Sequence, residues 1–201
     1  GESQVSLAWA AKDDPALRPY LASAPVFTTD EPRLLIEPLF PVPRVIVLGG
    51  GHVAKALVPI LAFLKYRVWV VEDRDEINDP SRFPQAERVL CEVQNMALSE
   101  LELTERDHIV SLVRGRGTDF FILDAALRTR AGYIGAIGSH ANARRLRDQL
   151  LSRGFPKEQV ARIHSPVGLD IGAESREEIA VSIAAELIAF EAARRNGGKQ
   201  G

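Results

Sequence analysis

From Arg44 onward, short apolar runs alternate with stretches in which apolar residues recur every three or four positions. The runs are Val45-Ile46-Val47-Leu48, Arg67-Val68-Trp69-Val70-Val71, Arg88-Val89-Leu90-Cys91, His108-Ile109-Val110-Ser111-Leu112-Val113 and Tyr133-Ile134-Gly135-Ala136-Ile137, with a shorter sixth at Ala161-Arg162-Ile163-His164. Runs without polar alternation predict strands buried on both faces, as in a parallel sheet covered by helices. The gaps predict helices over about 52–65, 97–102, 119–129, 141–153 and 176–195. Pro59 falls inside the first and should kink it, because it removes an N–H and crowds the preceding turn. The last has the clearest start: Ser175 and Glu178 form an S-x-x-E capping box, and Ile179, Ile183, Leu187 and Phe190 form a stripe facing the sheet. The pattern predicts an α/β fold, a doubly wound, mainly parallel Rossmann-like sheet of order 3-2-1-4-5-6 with helices on both faces.

Residues 1–43 carry seven of the twelve prolines and little periodicity, which suits a segment that wraps or links. Within it, Arg33-Leu34-Leu35-Ile36-Glu37 predicts a short edge strand. The expected organisation is a proline-rich extension over 1–43, a Rossmann-like domain over 44–196 and a disordered tail over 197–201. A first residue other than Met suggests a piece of a longer protein, with 1–43 a remnant of a larger N-terminal domain. With 201 residues, 46% hydrophobic and 26% charged, the chain has room for one sizeable core. A net charge of -2 gives no basic footprint for nucleic acid. The single cysteine, Cys91, cannot form an internal disulfide and points to a reducing compartment. With no apolar run of membrane-spanning length and no basic start leading into one, the reading is a soluble, cytoplasmic protein.

Chemistry gathers at the ends of the predicted strands. Gly49-x-Gly51-x-x-Ala54 follows the first strand and opens a helix, so that glycines permit a tight turn and close approach of a phosphate to uncapped N–H groups. A tight turn that packs without ligand is the plain alternative. After the second strand stands Glu72-Asp73-Arg74, near the spacing of an acid that binds a ribose hydroxyl. Arg74 either faces an anionic group or pairs with Asp73 or Asp75. The fourth strand runs into Arg114-Gly115-Arg116-Gly117-Thr118-Asp119, whose guanidinium forks suit a phosphate or a pterin-like ring, with Thr118 or Asp119 as a helix N-cap. Gly138-Ser139-His140 opens another helix with backbone amides and a hydroxyl. His164-Ser165-Pro166-Val167-Gly168-Leu169-Asp170 is too ordered for a random linker, although spacing assigns it no chemistry. The candidate cofactor-binding residues are therefore Gly49, Gly51, His52, Asp73, Arg74, Arg114, Arg116, Gly138, Ser139 and His140, all expected along the carboxyl edge of the sheet. His52, His108, His140 and His164 lack helical i, i+4 pairing, so no metal site is assigned and each is read as packed or on the surface. No catalytic residue is assigned, because neither a cysteine beside a base nor a G-x-S-x-G elbow is present. The residues alone leave binding and catalysis both open, the enzyme reading being an NAD(P)-dependent oxidoreductase that uses the glycine turn.

The string Glu37-Pro38-Leu39-x-Pro41-x-Pro43-Arg44, followed by Gly49 to Ala54, Asp73-Arg74 and Tyr133 to Ser139, resembles the xanthine dehydrogenase accessory protein family, XdhC/CoxI. Ser165-Pro166-Val167-Gly168-Leu169-Asp170-Ile171-Gly172-Ala173, with Glu178 to Glu186, is similar to that family's most distinctive stretch, and the match spans about 33–190. The resemblance implies a chaperone that holds the molybdenum cofactor (molybdopterin) for sulfuration and delivers it to a xanthine dehydrogenase-like molybdoenzyme. It further implies action with a cysteine desulfurase and a homodimer. Arg116 stands where the family usually has a histidine, and His140 where it has another basic residue. The family's N-terminal cysteine motif has no counterpart in 1–43, and Cys91 is expected to be buried in the third core strand.

Overall fold

The computed structural model describes residues 42–75, 79–113, 115 and 117–197, together with two short strands at 26–27 and 35–36. Those two, β1 (Val26–Phe27) and β2 (Leu35–Ile36), pair antiparallel in a sheet of their own. The remaining strands are β3 (Arg44–Leu48), β4 (Arg67–Glu72), β5 (Arg88–Cys91), β6 (Asp107–Ser111), β7 (Tyr133–Ala136) and β8 (Ile163–His164). They form one six-stranded sheet in the order β5-β4-β3-β6-β7-β8, parallel throughout. Counted from β3, this is the order 3-2-1-4-5-6, and the chain is a Rossmann-like α/β protein. The connecting helices are α1 (His52–Phe63), α2 (Gln94–Glu100), α3 (Thr118–Arg128), α4 (His140–Ser152), the short α5 (Lys157–Val160) and α6 (Arg176–Gly197).

Alternation along the buried strands divides the core. Val45, Val47, Val68, Val70 and Val110 face Ala54, Leu57, Val58 and Leu61 of α1 and Ile183 and Leu187 of α6. Ile46, Leu48, Val71, Ile109 and Ile134 face the other way, onto Leu98 of α2, Ile122 and Leu123 of α3 and Leu146 and Leu150 of α4. Both faces of β3 and β4 are therefore covered, which is why their sequences read as continuous apolar runs.

The chain separates into two compact units, one over 42–190 and the other joining 1–41 with 191–201; the sheet and its site belong to the first. The capping box forms as expected. Glu178 N–H donates to Ser175 Oγ at 3.2 Å, and Ser175 N–H donates back to Glu178 Oε2 at 2.8 Å. The four-residue α5 lacks enough periodicity to be foreseen. Cys91 departs from expectation: it ends β5, an edge strand, and is exposed, with Sγ 3.3 Å from Asp75 Oδ1. The expected order 3-2-1-4-5-6 already put this third strand at the edge, so the expectation of burial rested on the apolar run alone. Of the expected tail over 197–201, residue 197 still belongs to α6, and 198–201 lie outside the described residues.

Candidate functional site: the carboxyl edge of the sheet

At the point where strand order reverses, the chain leaves β3 to one side and β6 to the other. Gly49 follows β3 directly with φ +95°, a conformation natural to glycine. A Cβ there would lie 3.1 Å from Val113 Cγ2 and 3.3 Å from Val113 N, so the loop after β6 closes directly against the turn. Gly49 N–H donates to Val71 O at 2.8 Å, which ties the turn to β4 as well. Gly51 is the N-cap of α1, has no side chain to cap with, and faces open space where a Cβ would be. The first turn of α1 also contains no acidic residue. Its leading amides and the positive end of the helix dipole therefore remain directed outward, and His52 beside them is exposed.

Glu72 governs this turn. Although it ends β4 at the position from which an acid reads a ribose, its side chain is fully buried. Oε2 accepts from Gly50 N–H at 2.7 Å and from Arg74 Nη2 at 2.9 Å, while Oε1 accepts from Arg74 N–H at 3.1 Å and Arg74 Nε at 2.8 Å. Burial pushes the carboxyl up, but the Arg74 guanidinium and the two backbone amides outweigh it and hold the group down at about 2. Arg74 therefore pairs with Glu72, where the sequence had left it either facing an anionic group or pairing with Asp73 or Asp75. Asp73 is exposed and accepts from Gln94 Nε2 at 3.1 Å.

The loop after β6 joins the same edge. Arg114 and Arg116 lie outside the described residues, but Gly115 and Gly117 have φ of +98° and +85°. The N-cap of α3 is Gly117, not Thr118 or Asp119. Asp119 sits two positions further in, buried, where Oδ1 accepts from Gly115 N–H at 3.0 Å and Oδ2 accepts from Asn142 Nδ2 at 3.2 Å. That carboxylate joins the β6 loop to the first turn of α4. Ser139 is the N-cap of α4, its hydroxyl spent on Asn142 N–H at 3.2 Å; His140 beside it is exposed. Gly138 lies under Asn142, with Nδ2 only 3.3 Å from where a Cβ would stand. Gly49, Gly51, His52, Asp73, Arg74, Gly138, Ser139 and His140 thus all fall at the carboxyl ends of their strands. The contacts that join these loops run through Glu72, Asp119 and Asn142, none of which was among the candidate residues. Asn142 carried no sequence signal, since its partner is 23 positions away.

The segment after β8 has a structural explanation. Glu186 of α6 takes His164 Nδ1 at 2.7 Å through Oε1 and accepts the Gly168 N–H through Oε2. Gly168, at φ +104°, passes so close to Ser182 that no side chain fits. Burial raises the Glu186 carboxyl, but the bonds from His164 and Gly168 prevail and lower it below the ordinary carboxylate range. Burial and the neighbouring Glu186 charge push the Tyr133 phenol well above its usual value. The Tyr133 ring stacks on His164 with centroids 4.5 Å apart, and buried His108 packs edge-on against Tyr66, Tyr133 and Phe190. Among the described residues no three His, Cys, Asp or Glu side chains converge as a metal site, and no helix is long and apolar enough to cross a membrane.

A doubly wound parallel sheet with a glycine turn and an uncapped helix at its switch point defines a Rossmann-type domain. More particularly, residues 45–187 match the XdhC Rossmann domain, and the chain belongs to that family. It is 33% identical over 156 residues to a probable xanthine dehydrogenase subunit of Bacillus subtilis (strain 168), covering 78% of this chain and 45% of that protein. It is 30% identical over 147 residues to the uncharacterized protein YqeB of Escherichia coli (strain K12), covering 73% of this chain and 27% of that protein. The crystal structure of a xanthine dehydrogenase from Bacillus halodurans superposes with a TM-score of 0.70 at 29% identity, over 78% of this chain and 46% of that one. The chain therefore spans less than half the length of each of these relatives.

Proposed function

We propose that this domain holds the molybdenum cofactor by its phosphate-bearing end, for sulfuration and for insertion into a xanthine dehydrogenase-like molybdoenzyme. The observation that carries this reading is the start of α1, where a side-chain-free N-cap faces open space and no acid occupies the first turn. Such a helix start favours an anion through its free amides and its dipole. Membership of the XdhC family supports the choice of cargo. The residues present fit the phosphate end of a molybdopterin: Gly51, His52 and Val53 supply backbone amides, while Gly138, Ser139 and His140 frame the opposite side of the edge. Arg114 and Arg116, with Asp73, are assigned the more distant polar groups on their sequence alone. When bound, the cofactor itself supplies the redox chemistry of the enzyme that receives it, and this chain's part is to hold, orient and release. The working partners are the recipient molybdoenzyme, a cysteine desulfurase and a second copy of the chain, in the cytoplasm.

Equilibrium binding of purified molybdenum cofactor tests the reading with Gly51→Asp as the variant. Position 51 has φ −70° and room for a side chain, so Asp is tolerated and even supplies the missing cap. It also places a carboxylate where the phosphate would sit. The expected result is an unchanged or raised melting temperature with binding weakened about tenfold or more, the scale of one lost charge-assisted contact. Failure of the wild-type protein to bind, or equal binding by the variant, would overturn the proposal.

A further inference from the structure

We propose that the Arg74 side chain acts as an intramolecular substitute for a ribose diol, so that the crevice takes a phosphate-bearing ligand without reading an adenosine ribose. This deepens the proposed function, and rests on it only in treating the edge as a binding site. A carboxylate has about four acceptor positions. Those of Glu72 are filled by Gly50 N–H, Arg74 N–H, Arg74 Nε and Arg74 Nη2. Two of the donors are backbone groups that belong to the turn and persist whatever the ligand. The other two form a fork, Nε to Oε1 at 2.8 Å and Nη2 to Oε2 at 2.9 Å, one bond to each oxygen. A vicinal diol bound by such an acid donates in the same way, one hydroxyl to each oxygen. The guanidinium already occupies those places, and it is covalently tethered two residues from the acid, so a diol competes against a partner at very high effective concentration. Glu72 is buried and held by the Gly50 and Arg74 backbone N–H groups, while the Arg74 side chain is 56% exposed, so the arginine can be removed without opening the core.

The test compares ADP with 2′,3′-dideoxy-ADP, which share the phosphates that α1 can hold and differ only in the diol. Affinities are measured by calorimetry for the wild type, for Arg74→Ala, and for Arg74→Met, which keeps the aliphatic stem should truncation disturb the fold. In the wild type the two nucleotides should bind equally, or neither should bind. In the folded Arg74 variants ADP should bind about tenfold or more tightly than its dideoxy analogue, as two hydroxyls reach the vacated acceptor positions. A wild-type preference of that size for ADP, or its absence from both variants, would overturn the proposal. Since the probe is an adenine nucleotide, this outcome is independent of whether the molybdenum cofactor binds.

Discussion

Glu72→Gln removes the charge that holds the glycine turn while leaving the side chain's shape nearly intact. A buried carboxyl held at about 2 against an ordinary 4.5 corresponds to about 3 kcal/mol of folding stability at neutral pH, at about 1.4 kcal/mol for each pH unit. The amide would keep one oxygen for Gly50 or Arg74 N–H but turn an NH2 group toward the Arg74 fork, so the loss at pH 7 should approach that figure. The pH dependence has a definite sign. The folded value is depressed, so the contribution is complete above about 4.5 and fades as pH falls toward 2. The stability difference between wild type and variant should therefore shrink by about 1 kcal/mol at pH 4 and by about 2 kcal/mol near pH 3. Urea unfolding of both proteins at pH 7, 5, 4 and 3 measures it, and taking the difference removes the other carboxylates that titrate in the same range. A variant within 0.5 kcal/mol of wild type at pH 7 (about the size of an ordinary surface change), or a penalty that stays constant down to pH 3, would refute the assignment of Glu72 as the charged latch of the turn.

Gly49→Ala should cost about 2 kcal/mol in thermal unfolding, because φ is +95° and the new methyl meets Val113; a loss below about 0.5 kcal/mol would contradict that packing. Glu186→Ala leaves His164 Nδ1 and the Gly168 N–H without their acceptor, which should cost about 1–3 kcal/mol and accelerate amide exchange at Gly168 while Gly49 and Gly50, held by Val71 and Glu72, stay protected. Equal acceleration at both places would mean that Glu186 does not act locally. Ser175→Ala breaks the capping box of α6 and should destabilise by about 1 kcal/mol, read as a lower urea midpoint with unchanged slope.

The sequence by itself determined the architecture, because what it needed was local. Uninterrupted runs such as Val45 to Leu48 are what a strand covered on two faces requires, and the Ser175–Glu178 box spans a single helical turn. The positions of Gly49, Gly51, Gly138 and Ser139 at the carboxyl edge followed from the same alternation, since the chain must turn wherever a strand ends. Only the tertiary structure decided what those loops do to one another. Glu72-Asp73-Arg74 read as offering an acid to a ribose, with Asp73 the candidate, and packing turned Glu72 inward onto Gly50 and Arg74. His164 to Asp170 read as ordered but unexplained until α6 brought Glu186 beside it, 22 residues from His164 in sequence. Cys91 read as buried on its apolar run alone, although the expected order 3-2-1-4-5-6 already set the third strand at the edge, and the residue is exposed there. Periodicity reports which side of an element faces the core, whereas the partner of a buried charge depends on how distant elements meet, and no local spacing encodes that.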